Sequence, residues 1–268
     1  LATIKGDVTI STNAQSTVNK ILGKLDCAGT CETKSGIGHL KCSGHSCTVT
    51  GGGVDGNVTC ENTCAIEESV QGNLNCLGQC TINGNVGGKV DCSADNVRCE
   101  ISQGECQGDM TAGANGRIDI NGISGNLDCS KDGSSCVTNG GNVGGNFKCG
   151  NSGYCNVNGD GNIEGSFDCS IGDTSHCQIA KGYVGGDALC GKNGICTYGS
   201  KVNGKLFCDS NAHCTVKGNV GKDVECKDNT FCTLTSDVEG SVVCGKGSHC
   251  HIAGNVGADM TCMEGSTC

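Results

Sequence analysis

Residues 218–232 read GNVGKDVECKDNTFC, and the phrase returns with variations at 84–99 (GNVGGKVDCSADNVRC), 141–155 (GNVGGNFKCGNSGYC) and 254–268 (GNVGADMTCMEGSTC). Each copy holds a valine, a glycine directly after it, a second apolar residue and two cysteines about six apart. Aligned on the first cysteine, the chain yields fifteen copies, anchored at Ile10, Cys27, Cys42, Cys60, Cys76, Cys92, Ala112, Cys129, Cys149, Cys169, Cys190, Cys208, Cys226, Cys244 and Cys262. From Ile10 to Cys262 there are fourteen steps averaging 18 residues, and the last four steps are each 18.

The residue two before every anchor is apolar, from Val8 and Leu25 to Val242 and Met260. Four before it, thirteen of the fifteen copies carry Gly, the exceptions being Lys222 and Ala258. Six before it lies a β-branched residue in most copies, such as Val54, Val86, Ile163 and Val220, with polar residues between. Alternation with period two is the strand signal. A further apolar site follows the second cysteine by two, as at Val49, Ile66, Val216 and Leu234. One such unit cannot bury its own apolar face, but stacked units bury a continuous column. The pattern therefore predicts an all-β fold: one β-solenoid domain over residues 1–268, with about fifteen coils of about 18 residues. The glycine four before the anchor is expected to point inward at a corner, where no side chain fits. Lys222 tests that assignment, because a lysine there has to reach solvent.

Composition agrees with a narrow core. The 268 residues include 47 Gly, 27 Cys, no Pro, no Trp, 4 Phe and 3 Tyr. A tenth of the chain as cysteine indicates a disulfide scaffold in an oxidising compartment, hence a secreted, extracellular protein. The first residue, Leu1, is the expectation for a mature form after leader removal. A sequon at Asn57-Val58-Thr59 makes Asn57 a glycosylation candidate. The net charge of −10 argues against nucleic acid or an anionic membrane as partner.

Twenty-six cysteines occupy two repeat positions. Copies one and seven lack both, holding Ile10 with Ser16 and Ala112 with Ile118. Bridges between stacked anchors would orphan one of the five from Cys27 to Cys92, whereas bridges within a coil leave no orphan. The predicted pairs are Cys27 with Cys31, Cys42 with Cys47, Cys60 with Cys64, Cys76 with Cys80, Cys92 with Cys99, Cys129 with Cys136, Cys149 with Cys155, Cys169 with Cys177, Cys190 with Cys196, Cys208 with Cys214, Cys226 with Cys232, Cys244 with Cys250 and Cys262 with Cys268. Cys106 aligns with Val86 and is expected to be a buried free thiol. Irregular cysteine intervals fit no zinc ribbon, so no metal or other cofactor is expected.

No nucleophile motif or phosphate loop is present, and the chain is not expected to be an enzyme. Asp26, Asp91, Asp128 and Asp168 precede anchors and are expected to form a partial acidic ladder. Thr48-x-Thr50 and Thr233-x-Thr235 are similar to the Thr-x-Thr arrays of disulfide-rich antifreeze solenoids, although the equivalent sites elsewhere are not threonine. The V-x-G-x-V alternation, which covers most of the chain, resembles polymer-forming β-helical proteins of the bactofilin type. That resemblance implies that such a solenoid polymerises end to end. The repeat is in register by Ile4, Gly6, Val8 and Ile10 and runs to Cys268, so head-to-tail stacking would nearly continue it as an open, heterologous filament. The expected function is thus an extracellular structural subunit whose partner is itself, with no membrane insertion. Ice binding is the first alternative, and an adhesin or glycan-binding solenoid the second.

Overall fold

The structure is a computed structural model that describes residues 3–12 and 14–268. It is an all-β parallel solenoid of fourteen turns. The chain falls into two compact units, Leu1–Gly125 and Asn126–Cys268.

Each turn has three stations at which it pairs in parallel with its neighbours. The first is the anchor strand, such as Val224–Cys226. The second is the strand carrying the second cysteine, such as Phe231–Leu234. The third is a single bridge at the residue six before the anchor, as in the run Val202, Val220, Val238, Val256. Seven anchor strands lie in the first unit, from Val8–Ile10 to Met110–Ala112, and eight in the second, from Leu127–Cys129 to Met260–Cys262. Each unit has seven second-station strands, which makes seven plus seven complete turns. Fifteen anchors thus enclose fourteen turns.

Register follows the sequence alignment. Anchor meets anchor (Cys208 opposite Cys226) and second cysteine meets second cysteine (Cys214 opposite Cys232). The two cysteine-free copies keep their places, with Ser16 opposite Cys31 and Ile118 opposite Cys99. One slip was not legible. In the copy before Cys42 the bridge residue is Ile37, five before the anchor rather than six, and a register shift between Ile21 and Lys24 absorbs the difference.

Five side chains per turn point inward. In one turn they are Val220, Val224, Cys226, Cys232 and Leu234, all buried. Burying each aliphatic one contributes about 1.5–3 kcal/mol, and the cystine completes the layer. Larger side chains occur in compensating places. Phe147 and Phe167 stack in the core with centroids 4.9 Å apart. In the turn where Ala188 takes the place of Phe167, Tyr198 replaces the usual aliphatic residue and meets Phe167 edge-on at 6.2 Å. The Tyr198 hydroxyl has no hydrogen-bond partner there, and neither do the hydroxyls of Thr33 and Thr138, which also sit at inward positions.

The thirteen disulfides each close a loop within one turn, from Cys27–Cys31 to Cys262–Cys268, with sequence separations of 4 to 8. Nine of these loops hold a residue at positive φ. Asn193, Asn211 and Asn229 occupy that place in three successive turns, and Gly247 and Gly265 in the next two. Asparagine and glycine are the residues that adopt this conformation most readily. A buried hydroxyl ties several loops down: Ser134 Oγ donates to Cys129 O (2.5 Å), Ser175 Oγ to Cys169 O (2.7 Å) and Ser248 Oγ to Gly245 O (2.6 Å).

The repeat glycine does mark a bend, but it does not point inward. A Cβ on Gly72 would lie 2.5 Å from Asn57 Oδ1 and 2.6 Å from the Gly56 carbonyl carbon. The missing side chain therefore points along the stack, onto the preceding turn. Lys222 is exposed. The residue beneath it in the place of Asn57 is Lys205, which has no side-chain acceptor to put there and instead reaches Asp223 Oδ2 at 3.3 Å.

Candidate functional surface

What crowds the glycine is a ladder of side-chain acceptors. The residue three before each anchor is Asp, Asn, Ser or His in twelve of fifteen copies and Lys in the other three. In most of the twelve its side chain accepts the backbone N–H of the equivalent residue one turn on. Asp7 accepts from Lys24 (2.8 Å), His39 Nδ1 from Asn57 (3.0 Å), Asn57 from Asn73 (2.9 Å) and Asn73 from Lys89 (2.8 Å). In the second unit Asn126, Asn146, Ser166, Asp187 and Asp223 do the same. A second ladder runs seven before the anchor, through Ser69, Asn85, Asn142, Asn162 and Asp237. Both satisfy backbone donors at the bends, where no strand partner exists. The N–H of Ser241 and the Lys205 ammonium hold the Asp223 carboxyl below its usual range. The sequence carries this signal as a column of small acceptors three before the anchor, within the polar positions of the alternation.

Asn57 is exposed and belongs to this ladder through its Oδ1. Cys106 is buried and unpaired. It takes the bridge station between Val86 and Ile123, and its thiol donates to Gly88 O and Gly108 O at 3.4 Å each. Burial pushes its pKa up to about 11.

The two outward faces differ in chemistry. On the anchor strands the expected acidic ladder does not assemble, because Lys148 stands between Asp128 and Asp168 and Asp26 faces Lys41. Further along, this face holds a shallow hollow over Phe207, Glu225 and Val243. The Lys227 ammonium covers the Phe207 ring at 5.6 Å and pairs with Glu225, so the charges at the hollow are matched internally.

On the second-station strands of the first unit, the chain's two arginines pair with carboxylates. Arg98 reaches Glu100 at 3.0 Å and Arg117 reaches Asp119 at 2.7 Å, and Asp119 raises the Arg117 pKa further. The same face of the second unit carries no ion pair among the described residues. Its outer row runs Tyr154, His176, Ile195, His213, Phe231, His249, each opposite the next. Tyr154, Ile195 and Phe231 are each about half exposed. Phe231 is sandwiched between His213 (4.7 Å, 17°) and His249 (5.0 Å, 14°). The adjoining row is Asn156, Gln178, Thr197, Thr215, Thr233, His251.

This places the expected threonines differently. Thr50 and Thr235 donate to Thr33 O and Lys217 O of the preceding turn at 2.9 Å, so they are tied to the backbone rather than forming outward doublets. The in-register threonines are Thr197, Thr215 and Thr233. Three cysteine clusters have sulphurs close enough for a metal, Cys76/Cys92/Cys99 among them, but every member is in a disulfide. Comparison with protein-family models, curated proteins and solved structures gives no match for this chain.

Proposed function

We propose that the chain is an extracellular structural element, a disulfide-stapled solenoid that a second copy extends by head-to-tail stacking. The observation that carries this reading is the interchangeability of the turns. From Cys190 to Cys262 every step is 18 residues, and all three stations pair at each step in the same parallel register. Within this stretch the upper edge of one turn therefore fits the lower edge of another, which is the condition for a heterologous, open assembly. An exposed parallel edge templates such pairing. Secretion is supported by pairing of 26 of the 27 cysteines. Negative-stain electron microscopy across a concentration series tests the proposal. Fibres of one turn's cross-section are expected, and particles one chain long at every concentration overturn it.

Ice binding is a second reading, favoured by one observation. Thr197, Thr215 and Thr233 form an outward row on adjacent strands, about 4.8 Å apart. Thermal hysteresis that falls on Thr215→Tyr is its expected signature.

A further inference from the structure

The row Tyr154 to His249 is the outward feature that the structural reading does not use. Stacking against a sugar would need free ring faces, but the faces of Phe231 are both taken by His213 and His249. What the stack leaves outward is ring edges, and an imidazole edge carries a nitrogen lone pair.

Two of those edges lie side by side. His249 and His251 are the first and third residues of strand His249–Ile252, and both are exposed on the same face. Alternate residues of a strand are about 6.6 Å apart along the chain, at ~3.3 Å per residue. A metal ion with two nitrogen ligands at about 2.0 Å holds those nitrogens about 3.3 Å apart, so two imidazoles leaning together across this spacing can share one ion. The stack orients the first of them. Phe231 lies opposite His249 on the neighbouring strand, and its ring is 14° from parallel to the imidazole. The stack thereby restricts rotation of the His249 ring and leaves its edge free of ring contacts. An imidazole binds a metal in its ring plane, through the edge that the stack leaves open. No other histidine of this row has such a neighbour: His213 is followed two on by Thr215, and His176 by Gln178.

We propose that His249 and His251 form a bidentate site for a divalent transition-metal ion of the zinc, nickel or copper class. Borderline ions prefer imidazole over water and carbonyl oxygen, and solvent completes the coordination sphere. This site does not depend on the head-to-tail reading.

Calorimetric titration of the tag-free full chain with Zn²⁺ and separately with Ni²⁺ tests it. One saturable event per chain is expected. His249→Ala and His251→Ala should each weaken it at least tenfold, while His213→Ala, which removes the other half of the stack, leaves the stoichiometry unchanged. Substoichiometric Ni²⁺ should broaden the imidazole resonances of His249 and His251 before those of His39, His45, His176 and His213. The proposal is overturned by the absence of a saturable event, by unchanged affinity in the His249→Ala/His251→Ala double variant, or by uniform broadening of all six histidines. All three positions are solvent-facing, and a thiol count of none before denaturation and one after it shows that the variants retain the fold.

Discussion

Asn57 Oδ1 accepts the backbone N–H of Asn73 one turn on, at the place where Gly72 has no side chain. The acceptor and the glycine are two halves of one device, since the polar atom occupies the volume that a Cβ would need. Asn73→Ala should cost about 1–2 kcal/mol by leaving the Lys89 N–H without its side-chain partner. Gly72→Ala should cost at least as much, because backbone of the preceding turn has to move. Lys222→Ala, at the same repeat position but exposed, should stay within about 0.5 kcal/mol of the parent. Chemical denaturation of the three variants checks the order.

The disulfides close loops of similar size, so their contributions should be alike. Replacing Cys226 and Cys232 together by Ser should destabilise the chain by about 2 kcal/mol on a loop-entropy estimate. A thiol assay should find one reactive group per chain in denaturant, Cys106, and none in the native protein.

Cys106 also predicts a limit at high pH. Its pKa is raised to about 11 in the fold, above the ordinary thiol value of ~8.5. The folded state therefore holds this proton more tightly than the unfolded chain does. The stability from the neutral thiol is complete below the unfolded pKa and is lost as pH rises toward 11, by about 3 kcal/mol in all. Cys106→Val, which matches the valines at this station, should flatten the alkaline limb of a stability–pH profile.

Three core hydroxyls lack partners, and removing one should not destabilise. Tyr198→Phe keeps the edge-on contact with Phe167 and removes a buried oxygen without a hydrogen bond. Stability should rise by up to about 1 kcal/mol. Thr138→Val, opposite Val157, should act in the same direction. A loss above 1 kcal/mol in either would mean that the hydroxyl has a partner, such as a buried water.

The solenoid was legible because its signal repeats. The apolar positions at Val220 and Val224 and the pairing of Cys226 with Cys232 recur often enough that single departures do not hide them. The faces were harder to read. Inward positions are selected by burial and vary little, whereas an outward row is defined only by register between turns of unequal length. Tyr154, His176 and Ile195 are separated by 22 and 19 residues, so their alignment emerges only once the variable loops are placed. The glycine was misdirected for a related reason. Period two assigns a residue to one of two sides, and at the bend there is a third direction, along the stack.

The loops between paired cysteines take up much of the length difference between turns, with Cys169–Cys177 the longest at a separation of 8. Each is sealed at its base by a covalent bond, so a change in its length does not propagate into the sheets on either side. The loops are therefore natural grafting points. A foreign peptide set between Asp173 and Thr174 would be displayed on a closed hoop, at a spacing fixed by the stack beneath it. Peptides set into successive turns would form a ruler graduated in steps of one strand separation.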